Sequence, residues 1–271
     1  MPTPSPSTVG TQPPSLVRLE AALRSVGDLA RSFFGRVQPR YKADGSPVTE
    51  ADLAVQRALV ARLVEAFPGD GVVSEEGERR RSEEGGGTWF VDPIDGTGAF
   101  LQGLAHWGPT VCRIDTEGAL QLGAYYEPLL DRVFTAGRGL GAWRDGSALP
   151  RASAAALRSD DVLYVPSRIH RRPGLPWPGK LRALGSTAAH LALLAAGGGR
   201  GAIVARWSLW DVGCGVLMNR EVGNVVVRPG GEPFEPAVSS EGLPFLIGAP
   251  DAVAILDTGG WATRAMPEPT T

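Results

Sequence analysis

The sequence predicts an α+β fold in two halves. Three observations carry that expectation: apolar residues at helical spacing ahead of Pro68, strand-like runs broken by turn signals between about 107 and 143, and strands alternating with helices from Asp161 onward. At 271 residues and 43% hydrophobic content the chain can bury a sizeable core, as one large domain or as two halves.

Residues 1–15 are dominated by Pro, Ser and Thr and are expected to be a disordered tail. Ser15 then caps a helix whose buried stripe is Leu16, Leu19, Leu23, Val26, Ala30 and Phe33, with Gly35 ending it. Thr49 opens a second helix, with Asp52 three positions on as its capping-box partner and Val55, Leu59 and Leu63 as its buried face. A short aromatic and β-branched strand, 89–91, follows, and Pro93 is expected to stop it because proline donates no ladder hydrogen bond. Turn signals at 116–118, 127–128 and 137–139 divide the stretch from Trp107 to Trp143 into an antiparallel meander. These elements make a first half, 16–150.

The second half, 151–271, reads as strand 162–165, helix 187–196, strand 202–204, helix 212–222 and strands 225–227 and 245–247, with crossover connections. The Gly197-Gly198-Gly199 run and the polar segment 78–87 are expected to be loops. Composition also excludes partners. A formal net charge of −2 gives no basic field for a nucleic-acid polymer, and no stretch is long and apolar enough to span a membrane. Two cysteines, Cys112 and Cys214, cannot build a disulfide framework, and the N-terminus lacks the basic start and apolar middle of a secretory signal. A cytoplasmic location is the expectation.

The chemistry concentrates in Trp89-Phe90-Val91-Asp92-Pro93-Ile94-Asp95-Gly96-Thr97. Two carboxylates leave the end of a strand three positions apart, and Gly96 allows close backbone approach to a ligand whose phosphate the following N–H groups attract. Asp-Pro-x-Asp-Gly alone also describes an ordinary turn. Three further segments set the context: Lys42 to Asp52, reading Lys-Ala-Asp-Gly-Ser-Pro-Val-Thr-Glu-Ala-Asp; Ser74-Glu75-Glu76-Gly77; and Trp210-Asp211-Val212-Gly213-Cys214-Gly215. Carboxylates gathered without a cation are costly, since two like charges about 4 Å apart repel by about 4 kcal/mol at an effective dielectric of 20. With only oxygen donors among the candidates, and no zinc-type spacing of Cys or His, Mg²⁺ is favoured over Zn²⁺. His106, His170 and His190 read as loop or packing residues.

Together, in this order from Lys42 to beyond Gly223, the four segments resemble the inositol monophosphatase superfamily of metal-dependent, lithium-sensitive phosphatases. The resemblance implies stacked α/β/α/β/α layers, two or three Mg²⁺ ions, a homodimer, and hydrolysis of a small phosphorylated metabolite such as an inositol, polyol, sugar or histidinol phosphate. It implies one cation on Glu75, Asp92 and the Ile94 carbonyl and a second on Asp92, Asp95 and Asp211, with a third, weaker ion near Glu75. Glu75 and Thr97 would orient the water, Asp52 would accept from the Thr97 hydroxyl, Gly96 and Thr97 would offer N–H groups to the phosphate, and Lys42 would lie nearby. Each has a structural alternative: Asp211 as a helix N-cap, Thr97 as a cap, Asp52 as half of a capping box, the others as surface charges.

The chain departs from the family at Ala99, where an asparagine is common, in Val-Gly-Cys-Gly after Trp-Asp, where small alanines are common, and at Val204, where inositol-specific members carry a glutamate. Cys214 is expected to pack against the sheet rather than react. Gly185 and Ser186 match a substrate-cleft segment, and Arg168 and Arg171 are candidates to face an anionic substrate. The string from Lys42 to Asp52 and Trp107-Gly108 also resemble the bacterial histidinol-phosphate phosphatase branch. Two alternatives stand beside the leading one: a nucleotide 3′-phosphatase acting on adenosine 3′,5′-bisphosphate, and a catalytically silent protein that binds a phosphometabolite.

Overall fold

The computed structural model describes residues 11–265 apart from positions 44, 154 and 173. Most of the expected tail therefore lies outside the described residues, but Pro14 and Ser15 do not belong to it. They sit inside α1 (Pro14–Arg24), whose N-cap is Pro13, and no side chain caps that helix. A proline at the first helical position is well placed, because its missing N–H has no partner there in any case. The single helix expected from Ser15 is two, since the chain turns at Ser25 before α2 (Gly27–Phe33). The apolar stripe continues across the break: Leu16, Leu19, Leu23, Val26 and Ala30 are all buried, and Phe33 partly so.

A two-stranded antiparallel ribbon follows, β1 (Arg40–Tyr41) and β2 (Pro47–Val48), and then α3 (Glu50–Ala66). Thr49 and Asp52 form the expected capping box, and Val55, Leu59 and Leu63 are fully buried. The larger sheet consists of β3 (Gly71–Ser74), β4 (Arg79–Arg80), β5 (Thr88–Asp95), β6 (Gly108–Ile114), β7 (Leu120–Glu127), β8 (Arg132–Gly137), β9 (Gly141–Arg144) and β10 (Ser147–Ala148). They run side by side in the order β10-β9-β8-β7-β6-β5-β3-β4. Strands β6 to β9 are the expected meander. Two corrections apply here. The segment 78–87 is not all loop, since Arg79 and Arg80 pair with β3. Nor does Pro93 stop its strand, because β5 runs on to Asp95. Its partners shift from Thr110 opposite Asp92 to Gly108 opposite Asp95, three residues against two, so the proline is absorbed in a bulge.

After α4 (Thr97–Leu101) and the meander, β11 (Val162–Tyr164), β12 (Lys180–Arg182), β13 (Gly201–Val204), β14 (Val225–Val227) and β15 (Phe245–Gly248) make a second sheet in the order β12-β11-β13-β15-β14. Strands β12, β11 and β13 are parallel, and β15 runs antiparallel to β13 and β14. Helices α5 (Thr187–Ala195) and α6 (Leu209–Val222) lie between the sheets, and α7 (Pro250–Leu256) and α8 (Trp261–Ala265) follow β15.

Strand alternation sorts the core into three clusters. Trp89 and Val91 face α1 to α3, whereas Phe90 faces α5 and α6 on the other side of the larger sheet. The second sheet buries Ala202, Val204 and Ile247 against that same middle layer, and Leu163, Ile203 and Leu246 against α7 and α8. The result is five layers, α/β/α/β/α. Around α6 the packing is so close that a methyl group on Gly215 would lie 2.3 Å from Leu191 Cβ of α5, and one on Gly213 2.3 Å from Cys112 Sγ of β6. Alanine does not fit where this chain has its two glycines after Trp-Asp. Cys214 is buried against Gly123 of β7, the packing role expected for it.

Candidate active site

Parallel pairing of β3 with β5 sets Ser74 opposite Val91, so the chain leaving β3 carries Glu75 to the end of β5 from which Asp92 and Asp95 project. The Glu75 N–H donates to the Val91 carbonyl at 3.0 Å, which fixes this junction. Asp211 arrives in the first turn of α6. It is not the N-cap: Ser208 is, and Asp211 accepts from the Ser208 N–H at 2.7 Å as the third helical residue. One carboxylate oxygen from each of Asp92, Asp95 and Asp211 lies within 4.8 Å of the others.

The triad is crowded, and two of its three members are buried. Asp92 and Asp95 are 3% and 7% exposed, which leaves little water to screen them. Burial, then the charges of Glu75, Asp95 and Asp211, holds the Asp92 carboxyl well above the usual range. Asp211 is raised well above it too, first by burial and then by Asp95. Burial pushes Asp95 up to about 6, a smaller rise because hydrogen bonds from Ser186 and the Ala188 N–H favour its charged form. The Asp92 Oδ1 accepts from the Ile94 N–H at 2.8 Å, which curls the bulge so that the Ile94 carbonyl turns toward Thr97.

Around the triad, the Thr97 hydroxyl lies 3.3 Å from Asp52 Oδ1 and 3.2 Å from the Ile94 carbonyl oxygen, so its single proton has two acceptors. The other Asp52 oxygen accepts from the Thr49 N–H at 2.7 Å and the Thr49 hydroxyl at 2.6 Å. Asp52 thus completes the capping box and meets Thr97 at once. Its carboxyl is raised by burial, against those two donors. Lys42 reaches Glu75 at 2.7 Å and Glu76 at 2.6 Å, and these bonds raise the ammonium pKa although burial opposes it.

The proposed substrate residues are placed unequally. Gly185 and Ser186 meet the site: a methyl group on Gly96, whose φ is +86°, would lie 2.9 Å from Ser186 Cβ and 3.2 Å from the Gly185 carbonyl oxygen. Ser186 is 1% exposed and is the N-cap of α5, accepting from the Ala189 N–H at 3.0 Å. Gly185, whose φ is +87°, packs over Ala99: a β-carbon on the glycine would lie 3.0 Å from Ala99 Cβ. Val204 packs in the core with Trp207 and Phe245. Arg168 and Arg171 are exposed around a short 3₁₀ turn after β11. Sequence reasoning missed the grip of Ser186 and Ala188 on Asp95. The signal present was a serine opening an alanine-rich helical run, which marks a cap but not what else the cap holds.

Comparison with known proteins gives consistent matches. The model of the inositol monophosphatase family matches residues 16–244. An inositol-1-monophosphatase of Rhizobium meliloti is 30% identical over 234 residues, covering 81% of this chain and 87% of that protein. A histidinol-phosphatase of Chlorobaculum parvum is 31% identical over 207 residues, covering 73% and 79%. Among solved structures, the extragenic suppressor protein SuhB of Bartonella henselae superposes with a TM-score of 0.78 at 26% identity, covering 90% of this chain and 98% of that one.

Proposed function

The chain belongs to the inositol monophosphatase family, and we propose that it is a Mg²⁺-dependent phosphomonoesterase acting on a small phosphorylated metabolite. The observation that carries this reading is the convergence of the Asp92, Asp95 and Asp211 carboxylates within 4.8 Å, the first two of them buried. Their raised pKa values measure how poorly the protein alone accommodates the charge, and an all-oxygen donor set fits a hard divalent cation. In this reading Glu75, Asp92 and the Ile94 carbonyl would hold one ion, Asp92, Asp95 and Asp211 would hold a second, and a third would bind weakly near Glu75. When bound, the cations supply Lewis-acid neutralisation of the phosphoryl group and make water a better nucleophile at neutral pH.

The chain's own groups then do the positioning. With its hydrogen bond donated to Asp52, the Thr97 oxygen keeps lone pairs to accept a hydrogen bond from the attacking water, and the Glu75 carboxylate accepts a second. Lys42 holds Glu75 in place and compensates its charge. The Gly96 and Thr97 N–H groups face the phosphate, where Gly96 lacks the side chain that would otherwise strike Ser186.

Substrate recognition is expected to be permissive. Val204 brings no carboxylate for ring hydroxyls, and the Ser186 hydroxyl is already committed to Asp95. A pocket without buried hydroxyl partners rejects analogues weakly, because rejection by orders of magnitude depends on polar groups left unpaired. The test is a phosphate-release screen with Mg²⁺ across inositol 1-phosphate, histidinol phosphate, sugar phosphates and adenosine 3′,5′-bisphosphate. Release from several monophosphates is expected. Strong preference for inositol 1-phosphate contradicts the role given to Val204, and release from none of them favours a silent phosphometabolite-binding protein.

A further inference from the structure

A second concave site lies at the far end of the middle layer. A cavity of about 400 Å³, within the usual size range of small-ligand pockets, is lined by Ser153, Asp161, Leu194, the Gly197–Gly199 turn, Arg200 and Asn224, among others. The glycine run is a loop, as expected, and also a cavity wall. Leu194 belongs to the last turn of α5 and Asn224 follows the end of α6, whereas Ser186 and Asp211 stand at the starts of these helices. The length of α6, 14 residues, sets the cavity about 20 Å from the acidic triad. It is therefore not an extension of the phosphate site.

The lining has both signs of charge in fixed places. Arg200 is 7% exposed. Its Nη2 meets both oxygens of Asp251, at 2.9 and 3.0 Å, but its Nη1 reaches only the Ser153 hydroxyl, at a long 3.4 Å, and its Nε is buried without a partner among the described residues. A guanidinium so placed keeps donor capacity for one more acceptor beside Ser153. Asp161 contributes the opposite charge: its Oδ2 accepts from the Arg158 N–H at 2.8 Å, which fixes the carboxylate, while the Arg158 side chain is drawn off to Asp160 at 3.3 Å. A phosphate dianion would meet repulsion from Asp161, whereas Asp160 is paired with Arg158. A purely cationic ligand would meet Arg200. The lining also has apolar surface from Val162, Leu194 and Ala249 for a short side chain.

We propose that this cavity binds a small zwitterion of the α-amino acid class, its carboxylate on Arg200 and Ser153 and its ammonium on Asp161. Arg200 is already paired with Asp251, so what the ligand adds is an acceptor for the spare guanidinium N–H and a donor for Asp161, with no net charge brought into the cavity. The wall is coupled to the middle layer: the Asn224 amide donates to Asn219 at 2.7 Å, and the Asn219 amide donates to the Leu191 and Gly215 carbonyls, at 2.8 Å each.

The experiment is calorimetric titration of the full chain, without divalent metal, with each of the common α-amino acids. For any that binds, the matching amine without the carboxylate and the acid without the amine are titrated as well. Ser153→Ala and Asp161→Asn alter loop side chains, and unchanged thermal unfolding verifies that both variants fold. The expected result is binding of at least one amino acid, none of its two truncated analogues, and at least a tenfold loss in each variant, while Asp95→Asn binds as the wild type does. Binding by no amino acid, equal binding by both variants, or loss of binding in Asp95→Asn overturns the proposal. The last outcome would move the ligand to the acidic triad, and the first two leave the phosphatase reading untouched.

Discussion

The Ser186 hydroxyl donates to Oδ2 of Asp95 across 91 positions of chain, and the Ala188 N–H donates to the same oxygen at 2.8 Å. The start of α5 thus grips one oxygen of the carboxylate. Both bonds favour the charged form that a cation needs, against burial, which pushes Asp95 up to about 6.

Replacing Ser186 with alanine therefore raises the Asp95 pKa further. At about pH 6 more of the variant is protonated, and the proton competes with the cation. The expected outcome is a Mg²⁺ affinity that falls more steeply between about pH 8 and pH 6 in Ser186→Ala than in the wild type, by calorimetry at both pH values. The lost cap also costs about 1 kcal/mol of stability. Parallel pH dependence in the two proteins would leave Ser186 as a cap alone.

Thr97→Ala removes the hydroxyl shared between Asp52 and the Ile94 carbonyl. Turnover is expected to fall about a hundredfold or more, the usual scale for a lost positioning bond in general acid–base chemistry, with Mg²⁺ affinity nearly unchanged. Single-turnover rates and metal titrations on the same preparation separate the two quantities. Equal losses in both would make Thr97 part of the metal site or of the local fold.

Gly215→Ala drives a methyl group to 2.3 Å from Leu191 Cβ, so α5 and α6 must separate. The expected destabilisation is about 1–3 kcal/mol, the range for overpacked cores, read as a lower melting temperature. Adding Leu191→Ala is expected to recover part of it. No loss in the single variant would mean that the two helices are not pressed together here.

These cases also mark what could be read in the sequence. Local signals sufficed where partners are neighbours in the chain: Thr49 with Asp52 as a capping box, and Val55, Leu59 and Leu63 as one buried face. The acidic strand end at Asp92 and Asp95 was legible, but not the continuation of β5 through Pro93, because a bulge depends on the register of the neighbouring strand. Strand β12 went unread because Lys180, Leu181 and Arg182 are all exposed and carry no alternation. The turn at Ser25 was hidden by an apolar stripe that runs straight across it. The bond from Ser186 to Asp95 has no local signature, since its partners lie 91 positions apart and meet only in the folded chain.

His190 is 7% exposed, and its Nε2 accepts from the Leu184 N–H at 2.8 Å, which requires a neutral ring. Burial lowers its pKa to about 4, against about 6.5 for the free side chain. A lowered histidine pKa adds stability that is fully present above about pH 6.5 and is lost as pH falls toward 4, about 3 kcal/mol in all. His190→Gln keeps an acceptor but does not titrate. Its stability is expected to fall less than the wild type's between about pH 6.5 and 4, in denaturant melts across that range. Identical slopes would place the acid sensitivity elsewhere.

The central claim is that Asp92, Asp95 and Asp211 gather to hold divalent cation, and calorimetric titration of Mg²⁺ into the wild type, Asp95→Asn and Asp211→Asn tests it most directly. The account predicts saturable binding by the wild type, at least tenfold weaker binding in each variant, about 1.4 kcal/mol or more, and metal-free melting temperatures that hold or rise as the crowded charge is relieved. Mg²⁺ affinity unchanged in both variants would contradict it.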